Sequence, residues 1–318
     1  MPLAAAVLTC ACASGDALPR TLSEQRDIGQ VTRLAGDLET LALLGTQLSD
    51  ALITTNNGAA LITGRGGYAA YQPTSAPLRL SSNRVNLRVA PNTAVQLSRT
   101  GGSGERPSVI VSATDGVISH RVVANGTYDR HVIGALDAAP KNETSKSADT
   151  AMPDGTISLA AVRSARERWD TSDSGRHLND IIEDRGVTRL RTLPHVGKNR
   201  AWPVVDATIT SFVTYLADKQ IGHGRFVPAA GLMQGDIARR GAASMAGNIL
   251  LVNGGDRHFA LDVSQIGAAW VTCFGRLSQL EIYGKSGAAV AVLAADPMSN
   301  FGDWNRLLAS LPPICRAG

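Results

Sequence analysis

The sequence predicts an internally duplicated α+β fold, with two antiparallel β-sheets that are each flanked by helices. Short runs of alternating apolar and polar residues, separated by Gly, Asn and Asp turns, occur in both halves of the 318 residues and are typical of antiparallel strands. A polar segment without apolar periodicity predicts a solvated linker at residues 138–157. We therefore expect a first repeat at residues 1–137 and a second repeat at residues 158–318.

The duplication is indicated by an alignment of the two halves without a gap. PSVIVSATDGVISHRVV, residues 107–123, aligns with SQLEIYGKSGAAVAVLA, residues 278–294. The offset is 171 residues, which is the difference between Gly287 and Gly116. Each segment is predicted to form a strand, a turn that contains the glycine, and a second strand.

Two weaker matches precede this alignment. Leu97 is placed beside Val271, and the glycine-closed strand that begins at Asn57 is placed beside the one that begins at Asn248. Because the pieces keep the same order in both halves, they favour an ancient duplication.

Amphipathic patterns predict helices beside the sheets, at residues 38–48, 174–183, 206–218 and 303–311. In the second of these, Asp173 is a suitable N-cap and Gly186 a suitable stop. Leu178, Ile181 and Ile182 are expected on its buried face.

Composition argues against several classes of protein. The net charge is only +4 and its basic residues are scattered, which disfavours nucleic-acid binding. No apolar run approaches the roughly 20 residues needed to cross a bilayer, so no stable membrane insertion is expected. The four cysteines lack the spacing of a zinc site or a disulfide framework, and the first residues lack a basic n-region. We therefore expect a cytoplasmic location.

Motifs in both halves resemble those of a known family. In the first half they are the segment from Asn57 to Tyr68, Val85-Asn-Leu-Arg88 and Asp115-Gly-Val-Ile-Ser-His-Arg121. In the second half they centre on Asn248, Ile266, Trp270, Leu280, Glu281, Gly287 and Trp304. From about residue 29 to residue 312 the chain resembles the bacterial hemin-degrading and hemin-trafficking family of the HemS/ChuX type.

The resemblance implies a function in heme handling. In that family, heme lies in a cleft of the second half, near helices at the junction of the repeats. The implied cofactor is heme, and the implied function is its binding and transfer, or its degradation with an external reductant and oxygen. A heme importer or a heme oxygenase is the implied partner, and whether the chain is an enzyme stays open. The alternative is a degenerate member that acts as a carrier or interaction protein without heme.

The resemblance also implies a position for the iron ligand. The family histidine precedes a Gly-Leu-Ser-Arg-like turn, which is Gly186-Val-Thr-Arg189 here. Thirteen residues before Arg189 stands Arg176, and His177 follows it. His177 is therefore the candidate iron ligand, with Asp173 one helical turn earlier as an acceptor that could orient its ring. The alternative is a solvated polar histidine.

Three further residues fall on family-matching positions. The resemblance implies that Arg88 and Arg189 contact the heme propionates, because guanidinium groups form bidentate hydrogen bonds with carboxylates. The alternative for each arginine is a surface salt bridge. For His120 we expect a structural hydrogen bond.

Overall fold

The structure, a computed structural model, describes residues 31–70, 72–73, 80–81, 83–90, 93, 95–101, 106–113, 117–138 and 158–314. The strands are β1 Val31–Arg33, β2 Ala51–Asn56, β3 Ala60–Gly66, β4 Gln72–Pro73, β5 Asn86–Val89, β6 Gln96–Thr100, β7 Ser108–Ser112, β8 Ile118–Val123, β9 Ala201–Val204, β10 His223–Ala229, β11 Leu232–Ala238, β12 Ala242–Ala246, β13 Ile249–Gly254, β14 Arg257–Asp262, β15 Ile266–Phe274, β16 Leu277–Gly284 and β17 Ala289–Ala295. The helices are α1 Leu38–Gln47, α2 Thr127–Gly134, α3 Leu159–Trp169, α4 Ser174–Ile182, α5 Val187–Val196, α6 Thr208–Asp218 and α7 Phe301–Ala309. None of these helices is long and apolar enough to cross a membrane.

The strands form two sheets, as predicted. The first has the order β1-β6-β7-β8-β2-β3-β14-β13-β12 and the second the order β4-β5-β11-β10-β17-β16-β15-β9. All pairs of neighbouring strands are antiparallel except β4 and β5. Each sheet is completed by strands of the other half, since β14 pairs with β3 and β5 pairs with β11. The two halves therefore exchange strands, and neither sheet belongs to one half alone.

Strand register confirms the duplication and its offset. Ser108 pairs with Val123 in β7 and β8, and Gln279 pairs with Ala294 in β16 and β17. Each second-half residue lies 171 positions beyond its first-half counterpart, as Gln279 minus Ser108 shows. The same irregularity follows, between Val111/Ser112 in one half and Ile282/Tyr283 in the other. Gly287 lies in the predicted turn, whereas Gly116 lies outside the described residues.

The two weaker matches are wrong in detail. Leu97 pairs with Val111, and the counterpart of Val111, Ile282, pairs with Ala269, so the counterpart of Leu97 is Ala269 and not Val271. A slip of two residues keeps every side chain on its own face, so the apolar pattern cannot detect it. The strand that begins near Asn57 is β3, whose counterpart beside β10 is β11, not β13.

All four predicted helices are present, with boundaries that differ by up to two residues. They are α1, α4, α6 and α7. The sequence did not reveal α2, α3 and α5. Nearly all residues of α3 face solvent, and α5 contains Pro194, so neither shows a clean apolar stripe.

The core has three parts. One joins the two sheets with α6 and α7, and a second packs α1 against the first-half strands. The third lies under α3, α4 and α5, where Leu178 and Ile181 pack on Trp270, Phe274 and other residues of the second sheet. These three helices therefore form a layer on one face of that sheet.

A buried chain of hydrogen bonds links the two halves inside the molecule. Tyr68 Oη lies 2.5 Å from His120 Nε2, and His120 Nδ1 lies 2.6 Å from Thr55 Oγ1. Thr55 donates to Gln234 Oε1 on β11 at 2.7 Å. The single hydroxyl proton of Thr55 is thus used, so His120 Nδ1–H donates to Thr55 and Nε2 accepts from Tyr68. Burial lowers the pKa of His120 to about 3. The structural hydrogen bond expected for His120 is present.

The Tyr68 ring needs a glycine on α1. A Cβ at Gly45 would lie 1.7 Å from Tyr68 Cδ2, a steric clash that only movement of the ring or helix could relieve. We expect Gly45→Ala to lower the free energy of unfolding by about 1–3 kcal/mol, measured by urea denaturation. The matched control is Gly134→Ala on α2, where nothing lies within 4 Å of the added carbon. That variant should be neutral or slightly more stable. Equal stabilities for the two variants would contradict this packing.

Candidate functional site

The helix α4 forms as its sequence predicts. The Asp173 carboxylate caps it by accepting a hydrogen bond from the Arg176 backbone N–H at 2.8 Å. Gly186, which precedes α5, has a φ of +77°, and a Cβ there would lie 3.0 Å from Ala289 Cβ. Glycine therefore allows the chain to turn from α4 into α5 while lying close to β17.

His177 points from α4 into the protein and is only 1% exposed. Its ring stacks on Phe274 with centroids 4.1 Å apart, and it meets the Trp169 ring edge-on at 4.7 Å. The expectation of a solvated histidine is therefore wrong. The sequence could not exclude a solvated histidine, because position 177 lies at the border of the apolar stripe of α4, where a side chain can be buried or exposed.

Both ring nitrogens of His177 have protein partners. Nδ1 lies 3.1 Å from Arg189 Nη1, and Nε2 lies 3.3 Å from the Trp169 carbonyl oxygen. Because a guanidinium only donates, Nδ1 accepts and the ring proton is on Nε2. Burial, followed by the charge of Arg189, lowers the pKa of His177 to about 4. Asp173 was expected to orient this ring, but its carboxylate caps α4 instead.

Arg189 is buried on α5 and bound to a carboxylate on β16. Its Nε and Nη2 donate to the two oxygens of Glu281 at 2.8 and 2.6 Å, and its guanidinium lies 4.9 Å from the centre of the Trp169 ring. Glu281 also accepts hydrogen bonds from Thr272, Gln279 and Tyr283, at 2.6, 2.8 and 2.6 Å respectively. Burial alone would raise the pKa of Glu281, but Arg189 outweighs it and brings that pKa to about 2. The surface salt bridge considered for Arg189 is wrong.

Arg88 lies apart from these groups. It is 3% exposed, and its Nε and Nη2 both donate to Asn179 Oδ1, at 3.2 and 2.9 Å. Asn179 is on α4, so Arg88 fixes that helix from the strand β5 beneath it. The surface salt bridge considered for Arg88 is likewise not what the structure has. The structure brings His177 and Arg189 together and places Arg88 behind them.

A cleft of about 320 Å³ opens beside His177, between α3, α4 and α5. Its lining includes Arg168, Trp169, Arg176, His177, Asp180 and Arg189. This volume is at the lower end of the range of about 300–1,000 Å³ for small-molecule sites. The predicted ligand position and one predicted clamp therefore line the same cleft.

Two arginines at the mouth of the cleft were not predicted as carboxylate clamps. Arg168 is exposed, and within the described part of the chain it makes a hydrogen bond to the Ser164 carbonyl but no ion pair. Arg176 is paired with Asp180 at 3.2 Å, with its side chain 45% exposed. Burial raises the pKa of Asp180. No sequence motif includes Arg168. Arg176 stands at the position of the family histidine, and nothing in the sequence indicates that it binds a carboxylate.

The site fits carboxylates better than it fits iron. The Arg168 and Arg176 guanidiniums can each take a carboxylate at the mouth. His177, by contrast, turns no lone pair toward the cleft, because Nδ1 accepts from Arg189 and the Nε2 proton points to the Trp169 carbonyl.

The neutral state of His177 predicts a loss of stability in acid. The pKa is about 4 in the fold and about 6.5 in the unfolded chain, so the unfolded state takes up the proton first as the pH falls. The stabilisation is complete above pH 6.5 and is lost between pH 6.5 and 4, at up to about 1.4 kcal/mol per pH unit. In urea denaturation, His177→Phe should show a shallower pH dependence than the wild type. Identical slopes for the wild type and His177→Phe would contradict this.

The ion pair predicts a contrast between single and double variants. Arg189→Met leaves the Glu281 carboxylate buried without its cation and should cost about 3–5 kcal/mol of unfolding free energy. Arg189→Met with Glu281→Gln removes both charges and should recover much of that loss. Urea denaturation of the three proteins tests this, and a double variant as unstable as the single one would count against the pair.

Comparisons with known proteins bear on the fold. No protein-family model matches the chain. No curated protein matches it either. Among solved structures, the apo form of PhuS, a heme-binding protein from Pseudomonas aeruginosa, matches with a TM-score of 0.72 and 16% identity, over 89% of this chain and 87% of that one. ChuS, an E. coli heme oxygenase, matches with a TM-score of 0.70 and 15% identity, over 91% and 90% of the two chains. The chain therefore has the duplicated fold of PhuS and ChuS, as the sequence resemblance predicted.

Proposed function

We propose that this protein binds heme in the cleft between α3, α4 and α5 and passes it on in the cytoplasm. One observation carries the proposal: on the fold shared with PhuS and ChuS, the cleft is lined by the two exposed arginines Arg168 and Arg176 together with Trp169 and His177. Heme is a flat aromatic ring with two propionates, so a carboxylate clamp beside an aromatic surface suits its shape and charge.

In this proposal two arginines contact the heme and two others hold the cleft in shape. Arg168 and Arg176 receive the propionates at the mouth. The resemblance implies that Arg189 and Arg88 contact the propionates. In this proposal they instead fix the residues around the cleft, because Arg189 donates to His177 and Arg88 donates to Asn179. Both therefore affect heme binding by fixing the cleft.

Transfer is favoured over breakdown of heme. When heme is bound, ring opening would be chemistry that the iron supplies, and the protein must hold that iron through a ligand. His177 is engaged at both nitrogens. A protein that takes heme from an importer and delivers it to a heme oxygenase needs no such ligand.

A second candidate is heme bound through His177 itself. The bond from Nε2 to the Trp169 carbonyl is 3.3 Å, longer than the usual 2.9–3.0 Å, so this nitrogen is the easier one to release. For iron to bind Nε2, the ring proton would have to move to Nδ1, and Arg189, which donates to Nδ1, would have to leave it. A third hypothesis, a family member without heme, is supported by the buried network in which Arg189 and Thr272 both donate to Glu281 and so have protein partners already.

Titration with hemin tests the proposal. We expect a saturable Soret change at one equivalent, with affinity reduced roughly tenfold or more in Arg168→Ala, which removes a charge-assisted hydrogen bond. The matched control is Arg163→Ala on the exposed side of the same helix, outside the cleft lining, and its affinity should equal that of the wild type.

The other outcomes separate the candidates. Loss of an imidazole-type iron spectrum in His177→Phe would support the second candidate. No Soret change in the wild type would reject heme binding and leave the family member without heme.

A further inference from the structure

The tautomer of His177 bears on which ligand the cleft accepts. Arg189 Nη1 occupies Nδ1 as a donor, and the Nε2 proton is directed to the Trp169 carbonyl. A metal ion needs a nitrogen lone pair, and neither nitrogen offers one to the cleft in this arrangement.

This tautomer is held by more than one bond. Arg189 cannot leave Nδ1 easily, because its other nitrogens bind both oxygens of Glu281 and its plane lies over Trp169. Glu281 is in turn held by donors on the second sheet, among them Thr272 and Tyr283. The network is buried, so breaking it would leave charges without water or partner.

Other potential iron ligands near the helix layer are also engaged. Tyr283 donates its hydroxyl proton to Glu281 at 2.6 Å and is fully buried. Cys273 Sγ lies 2.9 Å from Ser278 Oγ, and burial raises the pKa of its thiol. The Asp180 carboxylate lies 3.2 Å from Arg176 Nε and 3.6 Å from Arg189 Nη1. None of these groups is prepared to take a metal ion.

We propose that the cleft recognises a tetrapyrrole by its carboxylates and its aromatic face rather than by its iron, so that iron-free porphyrin dicarboxylates bind as well as heme does. This inference rests on the proposed function, because it assumes that the cleft binds a tetrapyrrole. It extends the ligand class to macrocycles that carry no metal, which a protein with a histidine ligand would bind less tightly than heme.

The charges of the cleft make the inference specific. Asp180 competes with a bound carboxylate for Arg176, since the two lie 3.2 Å apart. Removing the negative charge with Asp180→Asn frees Arg176 and should strengthen binding of both ligands. Removing Arg168 should weaken both equally, because each carries the same two propionates.

The experiment compares hemin with protoporphyrin IX on the full chain by fluorescence quenching of its tryptophans. We expect the two dissociation constants to agree within about threefold. Arg168→Ala should raise both roughly tenfold or more, Asp180→Asn should lower both, and the control Arg163→Ala should leave both unchanged. Hemin that binds more than about tenfold tighter than protoporphyrin IX would overturn the inference while leaving the proposed function intact. If neither ligand binds, the proposed function fails, and the inference fails with it.

A second measurement needs no ligand. In protein labelled with ¹⁵N-histidine, with the His177 resonance assigned by its loss in His177→Phe, the proton should be found on Nε2 at neutral pH. A proton on Nδ1 would overturn the inference even if a tetrapyrrole binds, because Nε2 would then be ready for iron.

Discussion

The buried pair between Arg189 and Glu281 is the interaction on which the helix layer depends. It joins α5 to β16, and the third arm of the same guanidinium reaches His177 on α4. Such a pair brings little net stability by itself, because both charges must leave water. Its effect is on geometry. Because a buried charge without hydrogen-bond partners is costly, Arg189 and Glu281 must keep all of their hydrogen bonds. These bonds fix α4, α5 and the His177 imidazole relative to the second sheet.

The residues around the pair fit this requirement. Thr272, Gln279 and Tyr283 satisfy the remaining lone pairs of Glu281, and Trp169 covers the face of the guanidinium. Phe274 then packs against the imidazole. An apolar ring at 274 favours a neutral His177, and a neutral His177 can accept from Arg189.

The sequence predicts the fold, and it names His177 and Arg189, which the structure places side by side. The ungapped alignment gave the offset of 171, and Asp173 gave the start of α4, because both rest on local patterns. Gly186 was expected to end α4, but that helix ends at Ile182 with Glu183 as its C-cap, and Gly186 precedes α5 instead. Two things were beyond sequence reasoning. The alignment of Leu97 was wrong by two residues, and an apolar pattern that repeats every two residues cannot detect such a shift. The partner of Arg189 is 92 residues away, and no periodicity relates a helix arginine to a glutamate on a distant strand.

The exchange of strands explains why the first half matters to a cleft that the second half lines. β5 belongs to the first half in sequence but lies in the second sheet, beside β11. From there Arg88 reaches Asn179 on α4, two residues beyond His177. The buried hydrogen bonds that run from Tyr68 through His120 and Thr55 to Gln234 also fix β11 to the first half. A second half on its own would lose β5 and with it the contact to Asn179, so the cleft requires both repeats although its lining comes from one.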